Sequence, residues 1–366
     1  MICFGDVYRG RRVLVTGHTG FKGSWLTLWL KHLGAEVAGF SSGVPTSPAN
    51  FDLLDLGGQI KHYVGDIRDS VRLAQVIDEF RPEMVFHLAA QALVQSSYDE
   101  PVSTFEINIM GMVNLLDCVR ARPWIEVAVL ITSDKAYRNV EWCWGYRETD
   151  ALGGHDPYSG SKSCADLVAQ SYFHSFLRYT STRVAITRAG NVIGGGDWAA
   201  NRIVPDCIRA WSRGEPVAVR NPQATRPWEH VLEPLSGYLC LGAGLWRKLD
   251  GLNGEAFNFG PAVHVNQTVI DLLRAMAVRW PEAQVKVSEG SRPGGREATL
   301  LKLSCDKVLS RLNWLAVLQF PETVALTVDW YRAWYEGRHD LPACTIAQIE
   351  YYCQLAHGRG GVWVQP

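Results

Sequence analysis

The chain has 366 residues, enough for one large α/β domain or two unequal ones. Its 47% hydrophobic and 20% charged residues are those of an ordinary soluble protein, not of a disordered or fibrous one. A formal net charge of −1 gives no electrostatic basis for binding nucleic acid or an anionic membrane.

The first element is the apolar run Arg12-Val13-Leu14-Val15, which predicts a strand over 13–16. It leads into Thr16-Gly17-His18-Thr19-Gly20-Phe21-Lys22-Gly23-Ser24 and then into a helical pattern over 22–33. A strand, Gly-x-x-Gly-x-x-Gly and a helix in that order read as a dinucleotide-binding turn. Gly17 can take a backbone conformation that a Cβ would forbid. Gly20 lets a pyrophosphate approach the main chain, and Gly23 lets the helix pack closely on the strand. The free N–H groups at the helix start attract phosphate, and Thr19, Phe21 and Lys22 share that turn. Glycine is common here (34 of 366), so the flanking elements carry the reading more than the spacing does.

Further strands are predicted over 37–40, 62–64, 84–88, 127–131 and 184–187, with helices over 70–80, 102–120 and 158–179. This alternation predicts a doubly wound parallel sheet covered on both faces, with ligands at the carboxyl ends of the strands. The second strand ends Gly39-Phe40-Ser41-Ser42. It lacks the acid that, about 20 residues after the glycines, usually holds the ribose of NAD. Residues 41–60 contain no Lys or Arg to meet a 2′-phosphate. NAD is therefore expected over NADP, with the Ser41 and Ser42 hydroxyls on the ribose.

The strand over 127–131 runs into Thr132-Ser133-Asp134-Lys135-Ala136-Tyr137. A hydroxyl, an acid and a base are consecutive where the nicotinamide is expected; a polar strand cap is the bland alternative. At the next helix start, Tyr158-Ser159-Gly160-Ser161-Lys162 sets Tyr158 and Lys162 four residues apart on one face. An ammonium beside a phenol stabilises phenolate and lowers its pKa from about 10. Such a tyrosine can remove a hydroxyl proton while hydride leaves the same carbon. A surface helix pair is the other reading, and the dinucleotide turn upstream argues against it. An elimination needs an acid for the leaving hydroxyl and a base for the carbon proton. Asp134 is assigned as the acid and Lys135 as the base, given surroundings that tune their pKa values.

After Gly190 the pattern changes. Gly194-Gly195-Gly196 is a loop, helices around 203–213, 235–248 and 269–279 mix with short strands at 216–219 and 256–259, and 290–295 is a polar loop. The expected division is a dinucleotide-binding domain over 1–190 and a smaller mixed α/β substrate-binding domain over 191–366, with room for the chain to cross back. Arg202, Arg226 and Arg296 are candidate forks for a diphosphate. His230 stands between a substrate contact and a structural partner, and Trp198, in the glycine loop, is a candidate sugar contact. The aromatic tail (Trp330, Tyr331, Trp334, Tyr335, Tyr351, Tyr352) reads as packing or a subunit contact. No apolar run reaches a bilayer span, and the N-terminus lacks the order of a secretion signal. Nine scattered cysteines without a Cys-x-x-Cys pair point to reduced thiols in the cytoplasm and no metal.

Taken together, the chain resembles the extended short-chain dehydrogenase/reductase family, which acts on nucleotide sugars. The resemblance covers almost the whole chain. It rests on Gly17, Gly20 and Gly23, on Gly65-Asp66-Ile67, on His87-Leu88-Ala89-Ala90-Gln91, and on Asn108, Ser133, Tyr158 and Lys162. Within it, the string over 15–26, Thr132-Ser133-Asp134-Lys135, Gly194-Gly195-Gly196-Asp197-Trp198-Ala199 and Arg226-Pro227-Trp228-Glu229-His230-Val231 look like the CDP-glucose 4,6-dehydratase branch. The resemblance implies a Rossmann-type sheet and NAD, with Asp66, Ile67, Leu88, Ala89, Ala90 and Thr132 beside the cofactor. It implies Gln91, Asn191, Asn201, Arg202, Arg226, His230 and Arg296 beside the nucleotide sugar. It also implies a homodimer or homotetramer through a four-helix contact of 102–120 and 158–179. The implied reaction has three steps: oxidation at C4 with Tyr158 as base, helped by Ser133 and Lys162; loss of water across C5–C6; and hydride return to C6. Lys135 stands where the thymidine-linked relatives have glutamate. An epimerase or reductase would not need the Asp134-Lys135 pair, and a non-catalytic dinucleotide sensor would not need Tyr158 and Lys162.

Overall fold

The computed structural model describes residues 2–219, 221–262, 265–287, 300–337 and 340–365. Seven parallel strands form the central sheet: β1 (Arg12–Thr16), β2 (Glu36–Ser41), β3 (Lys61–Val64), β4 (Met84–His87), β5 (Val127–Ile131), β6 (Arg183–Ala189) and β7 (Ala256–Phe259). Their order is β7-β6-β5-β4-β1-β2-β3. The order reverses between β1 and β4, which opens a crevice at their carboxyl ends.

The strands alternate between two cores because successive side chains point to opposite faces. Val13 and Val15 join one core with Trp25 and Trp29 of α1 (Phe21–His32). Leu14 joins the other, with Leu73 and Ile77 of α2 (Ser70–Phe80). The predicted helix over 102–120 is built as α3 (Pro101–Phe105), a π turn (Glu106–Met110) and α4 (Gly111–Arg120). As one unit, Pro101–Arg120 reaches the length and mean hydropathy of a bilayer span, though Glu106, Asp117 and Arg120 interrupt it. Here one face of it is buried, and Met112, Leu115, Leu116 and Val119 fill the second core. The long helix α5 (Pro157–Ser175) follows and covers the same face.

Beyond residue 190 the chain serves both the second unit and the sheet. α6 (Ile203–Trp211) and the strand pairs 192–193 with 229–230, 217–219 with 285–287, and 225–226 with 267–268 build the second unit. But α7 (Leu232–Trp246) returns to pack on β5 and β6, and β7 extends the sheet beside β6. After α8 (Phe320–Tyr335), the helix α9 (Leu341–Gly358) and the strand Val364–Gln365 also come home. Val364 pairs with Cys3, and Trp363 stacks on Phe4 at 4.8 Å. The tail aromatics Trp330, Tyr331 and Tyr352 are buried packing residues, whereas Tyr335 and Tyr351 stay exposed. The expected loop over 290–295 lies outside the described residues.

Candidate active site

Gly17 takes φ +72°, and a methyl group on it would lie 2.7 Å from the amide nitrogen of Ala89. The turn is thus pressed against Leu88 and Ala89, the segment after β4. The Ala89 amide donates to Thr16 Oγ1 (3.2 Å), which lies 2.8 Å from Nδ1 of buried His87. A Cβ at Gly23 would fall 2.1 Å from the Gly17 carbonyl, so α1 sits directly on the turn. Gly20, by contrast, has only that carbonyl in reach, at 3.4 Å. α1 starts with no side-chain cap and no acidic residue in its first turn. Its bare N–H groups make a positive helix end beside an open glycine face. That arrangement fits the diphosphate of a dinucleotide.

At the end of β2, the Thr19 and Ser41 hydroxyls are 2.7 Å apart and both donate to the Gly43 carbonyl or lie within reach of it. This hydroxyl pair occupies the place of the missing acid. Asp66 is engaged by Arg68, which also meets Glu106; the guanidinium holds the Asp66 carboxyl below the usual carboxylate range. Ile67 is buried against Gly111 of α4. Ala90 is half-buried in the segment after β4.

The chemical groups meet at the carboxyl ends of β5 and β6. Asp156 caps α5 and Pro157 starts it, which sets Tyr158 in the first turn. Tyr158 Oη donates to Ser133 Oγ at 3.4 Å, and Ser133 Oγ donates to Asp134 Oδ1 at 3.0 Å. The Lys135 amide donates to the same Ser133 oxygen at 3.2 Å. Tyr158, Ser133, Asp134 and Lys162 are all buried, and Lys135 is partly exposed.

The expected lowering of the Tyr158 pKa by Lys162 is not found. Burial pushes the phenol up, the Ser133 hydrogen bond pulls it down, and the charges it feels are those of Asp134, Arg202 and Asp156. Spacing put phenol and ammonium on one helix face, but the phenol's hydrogen-bond partner comes from β5. Lys162 itself is pulled down to about 8 by burial and by Lys22. Lys22, from the glycine turn, is also lowered by burial, opposed chiefly by Glu229.

A second layer holds this group. The π turn carries buried Asn108, whose amide donates to Ser161 Oγ (2.8 Å) and to the Gln91 carbonyl (3.1 Å). Ser161 in turn donates to the Tyr158 carbonyl (2.7 Å). A π turn inside a helix frequently marks a functional site.

Several residues expected beside cofactor or substrate bond within the protein. The Gln91 amide is spent inside its own loop, donating to the Leu93 carbonyl and Thr104 and accepting from the Leu93 N–H. The Thr132 hydroxyl turns into the core, to Asp166 and the Thr187 carbonyl. His230 is fully buried, edge-on to Trp25, with Nδ1 accepting the Leu232 N–H and Nε2 without a hydrogen-bond partner among the described residues. Trp198 packs among Tyr331, Trp334 and Tyr335. Of the other residues expected beside the substrate, Asn191 has φ +52° and a buried amide nitrogen without a hydrogen-bond partner among the described residues. Arg202 donates to Asp197 (2.8 Å), and its charge reaches Tyr158. Asn201 is exposed, and Arg226 donates to its own neighbour's carbonyl, Thr225. Arg296 lies outside the described residues.

Sequence reasoning gave no role to Glu229. It is 1% exposed, pairs in register with Val192, and among the described residues neither carboxylate oxygen has a side-chain or backbone hydrogen bond within normal geometry. Burial pushes its pKa up and Lys22 opposes that. No pattern in Arg226-Pro227-Trp228-Glu229 marks this acid as buried.

The GDP-mannose 4,6 dehydratase family profile matches residues 14–327. The chain is 43% identical over 352 residues to the CDP-glucose 4,6-dehydratase of Salmonella typhimurium, covering 95% of this chain and 97% of that one. Among solved structures, it is similar to the UDP-glucose 4-epimerase of Thermus thermophilus in complex with NAD (27% identity, TM-score 0.74, 88% of this chain and 99% of that one). It is also similar to a dTDP-glucose 4,6-dehydratase double mutant of Streptomyces venezuelae with NAD bound (25% identity, TM-score 0.73, 89% and 99%). On the profile match and this full-length likeness, the chain belongs to the GDP-mannose 4,6 dehydratase family of extended short-chain dehydrogenases/reductases.

Proposed function

We propose that this protein is an NAD-dependent nucleotide-sugar 4,6-dehydratase that converts CDP-D-glucose to CDP-4-keto-6-deoxy-D-glucose. The observation that carries this reading is the hydrogen-bonded series Tyr158–Ser133–Asp134, with Lys135 next in the chain, at the carboxyl end of β5. A tyrosine suits an oxidation; an acid and an amine beside it suit an elimination. The likeness to a CDP-glucose 4,6-dehydratase supports the choice of substrate.

The glycine turn and the start of α1 would hold the cofactor diphosphate, with Thr19 and Ser41 near the ribose. Bound there, NAD would supply the hydride chemistry, an acceptor for the C4 hydrogen that is restored at C6. Tyr158 takes the O4 proton, with Ser133 holding the phenol oxygen. The C4 ketone acidifies C5. Lys135 takes the C5 proton while Asp134 protonates the C6 hydroxyl, which leaves as water. Arg202 and Asn191 are the groups best placed to meet the nucleotide sugar, since the guanidinium charge reaches Tyr158 and the Asn191 amide nitrogen has no hydrogen-bond partner among the described residues.

The test is to offer CDP-, dTDP-, UDP- and GDP-glucose with NAD and weigh the products. One water lost from CDP-glucose supports the proposal; a product of unchanged mass from any of them would favour an epimerase. Asp134→Ala and Lys135→Ala are each expected to abolish water loss and keep substrate binding.

A homodimer or homotetramer is part of the same proposal. Val102, Phe105, Met110 and Leu167 are exposed apolar side chains on α3, the π turn and α5, which suits a four-helix self-contact. Sedimentation of the protein and of Val102→Glu tests it; a wild-type monomer would refute it.

A further inference from the structure

The proton balance of the reaction proposed above, on which this inference rests, does not close at either acid–base group alone. Tyr158 gains the O4 proton. C4 loses hydride and C6 regains it, so the electrons balance within the sugar. The C5 proton is removed and put back. The C6 hydroxyl leaves as water after gaining a proton from Asp134. Each turnover therefore leaves Tyr158 one proton rich and Asp134 one proton poor.

Among the described residues no hydrogen bond joins those two side chains directly, and Ser133 joins both. Tyr158 Oη donates to Ser133 Oγ at 3.4 Å, and Ser133 Oγ donates to Asp134 Oδ1 at 3.0 Å. The three are 9%, 5% and 2% exposed, so bulk water has little access to compete. The Lys135 amide, donating to the same oxygen, holds Ser133 in place. We propose that Ser133 is a proton relay: the proton Tyr158 takes from the sugar passes through the Ser133 hydroxyl to Asp134 and departs in the water molecule.

In the transfer, the Oη–H bond of Tyr158 and the Oγ–H bond of Ser133 break. New O–H bonds form on Ser133 Oγ and Asp134 Oδ1. Phenol becomes phenolate, carboxylate becomes carboxylic acid, and nothing is oxidised or reduced. The donor directions in the free protein already run the right way. The first link is long for an O–H···O bond, and such links tighten when an empty site fills.

The experiment compares wild type, Ser133→Ala and Ser133→Thr with CDP-glucose and NAD, quenched through the first turnovers and resolved by mass. In S133A, a sugar nucleotide two hydrogens lighter than substrate, oxidised but not dehydrated, accumulates, and dehydrated product forms at least about 100-fold more slowly. S133T keeps the hydroxyl, restores product and removes the accumulation. If Ser133 only orients Tyr158, oxidation slows as much as water loss and no oxidised sugar builds up; that result overturns the relay. A second readout needs no turnover. With carbon-13 tyrosine in the protein alone, the Tyr158 Cζ resonance follows the titration of Asp134 in wild type and S133T and loses most of that response in S133A. Equal responses in wild type and S133A overturn the relay as well. Should wild type remove no water from any sugar nucleotide, the dehydratase reading falls and takes the relay with it.

Discussion

A methyl group built on Gly190 would lie 2.0 Å from Oδ2 of Asp134. β6 ends at Ala189, so the first residue beyond the strand is the one that leaves room for the acid. Gly190 does not have a positive φ, and the side chain rather than the backbone is what forbids alanine. Gly190→Ala should therefore fold, at a cost of about 1–3 kcal/mol for overpacking. It should push the Asp134 carboxylate off its position and lower the rate of water loss about 100-fold, the usual effect of misplacing a reacting group by an ångström. Product mass against time, with a urea unfolding curve, checks both halves.

Gly17 fails differently. At φ +72° an alanine is strained by about 1–2 kcal/mol. Its methyl group also meets the backbone of Ala89, which cannot swing aside like a side chain. Gly17→Ala should lower the unfolding midpoint and weaken NAD binding at least about 10-fold, because the turn that would carry the diphosphate opens. Calorimetric titration with NAD decides the matter; an unchanged Kd would mean that the turn does not hold the cofactor.

The sheet was legible because five of its first six strands carry short apolar runs between helical patterns, as burial on both faces demands, while the edge strand Lys61–Val64 is more polar and only partly buried. Which elements of the second half return to the sheet, the seventh strand and α7, was not legible, since a crossover leaves no mark in local pattern. At the site, Tyr158 and Ser133 were readable from their place in the fold, and the structure joins them by a hydrogen bond. The pKa expected for Tyr158 was not, because helix spacing fixes which face a side chain shares and not which charges surround its tip. The same limit applies to Gln91 and Thr132: their types suit a ligand, and their side chains hydrogen-bond within the protein. Glu229 was hidden for a different reason, since nothing in a single sequence shows that an acid has been buried.

Three buried histidines give the fold a pH dependence. Burial pushes His18, His87 and His230 each down to about 3; His62 adds to this for His18 and Lys162 for His87. In the unfolded chain each ring has a pKa of about 6.5. Between those values the unfolded chain binds more protons, so stability rises with pH across that window. The contribution is complete above about pH 6.5 and is lost as pH falls toward 3, at up to about 1.4 kcal/mol per ring per pH unit. Denaturant unfolding at several pH values should show this slope, and His230→Gln should reduce it by about one proton. An unchanged slope in that variant would mean that His230 is protonated in the folded state.

Asp166 and Arg188 form an ion pair with both side chains 0% exposed. Arg188 donates to both Asp166 oxygens, at 2.7 and 2.8 Å, and spends its remaining nitrogen on Tyr137 Oη and the Glu148 carbonyl. Asp166 also accepts from Thr132, the residue before Ser133. Removing one partner leaves a buried charge unmatched, so Asp166→Leu and Arg188→Met should each cost about 3–5 kcal/mol. The double variant removes both charges, and apolar replacement of a buried pair is often near neutral, so it should recover at least about half of the larger single loss. Urea midpoints at neutral pH measure this cycle. Activity should separate the two roles: the stable double variant still lacks the Asp166 carboxylate that fixes Thr132, so its rate of water loss should stay below wild type after its fold returns. A double variant with wild-type turnover would show that the pair holds the fold alone and has no hand in placing Ser133.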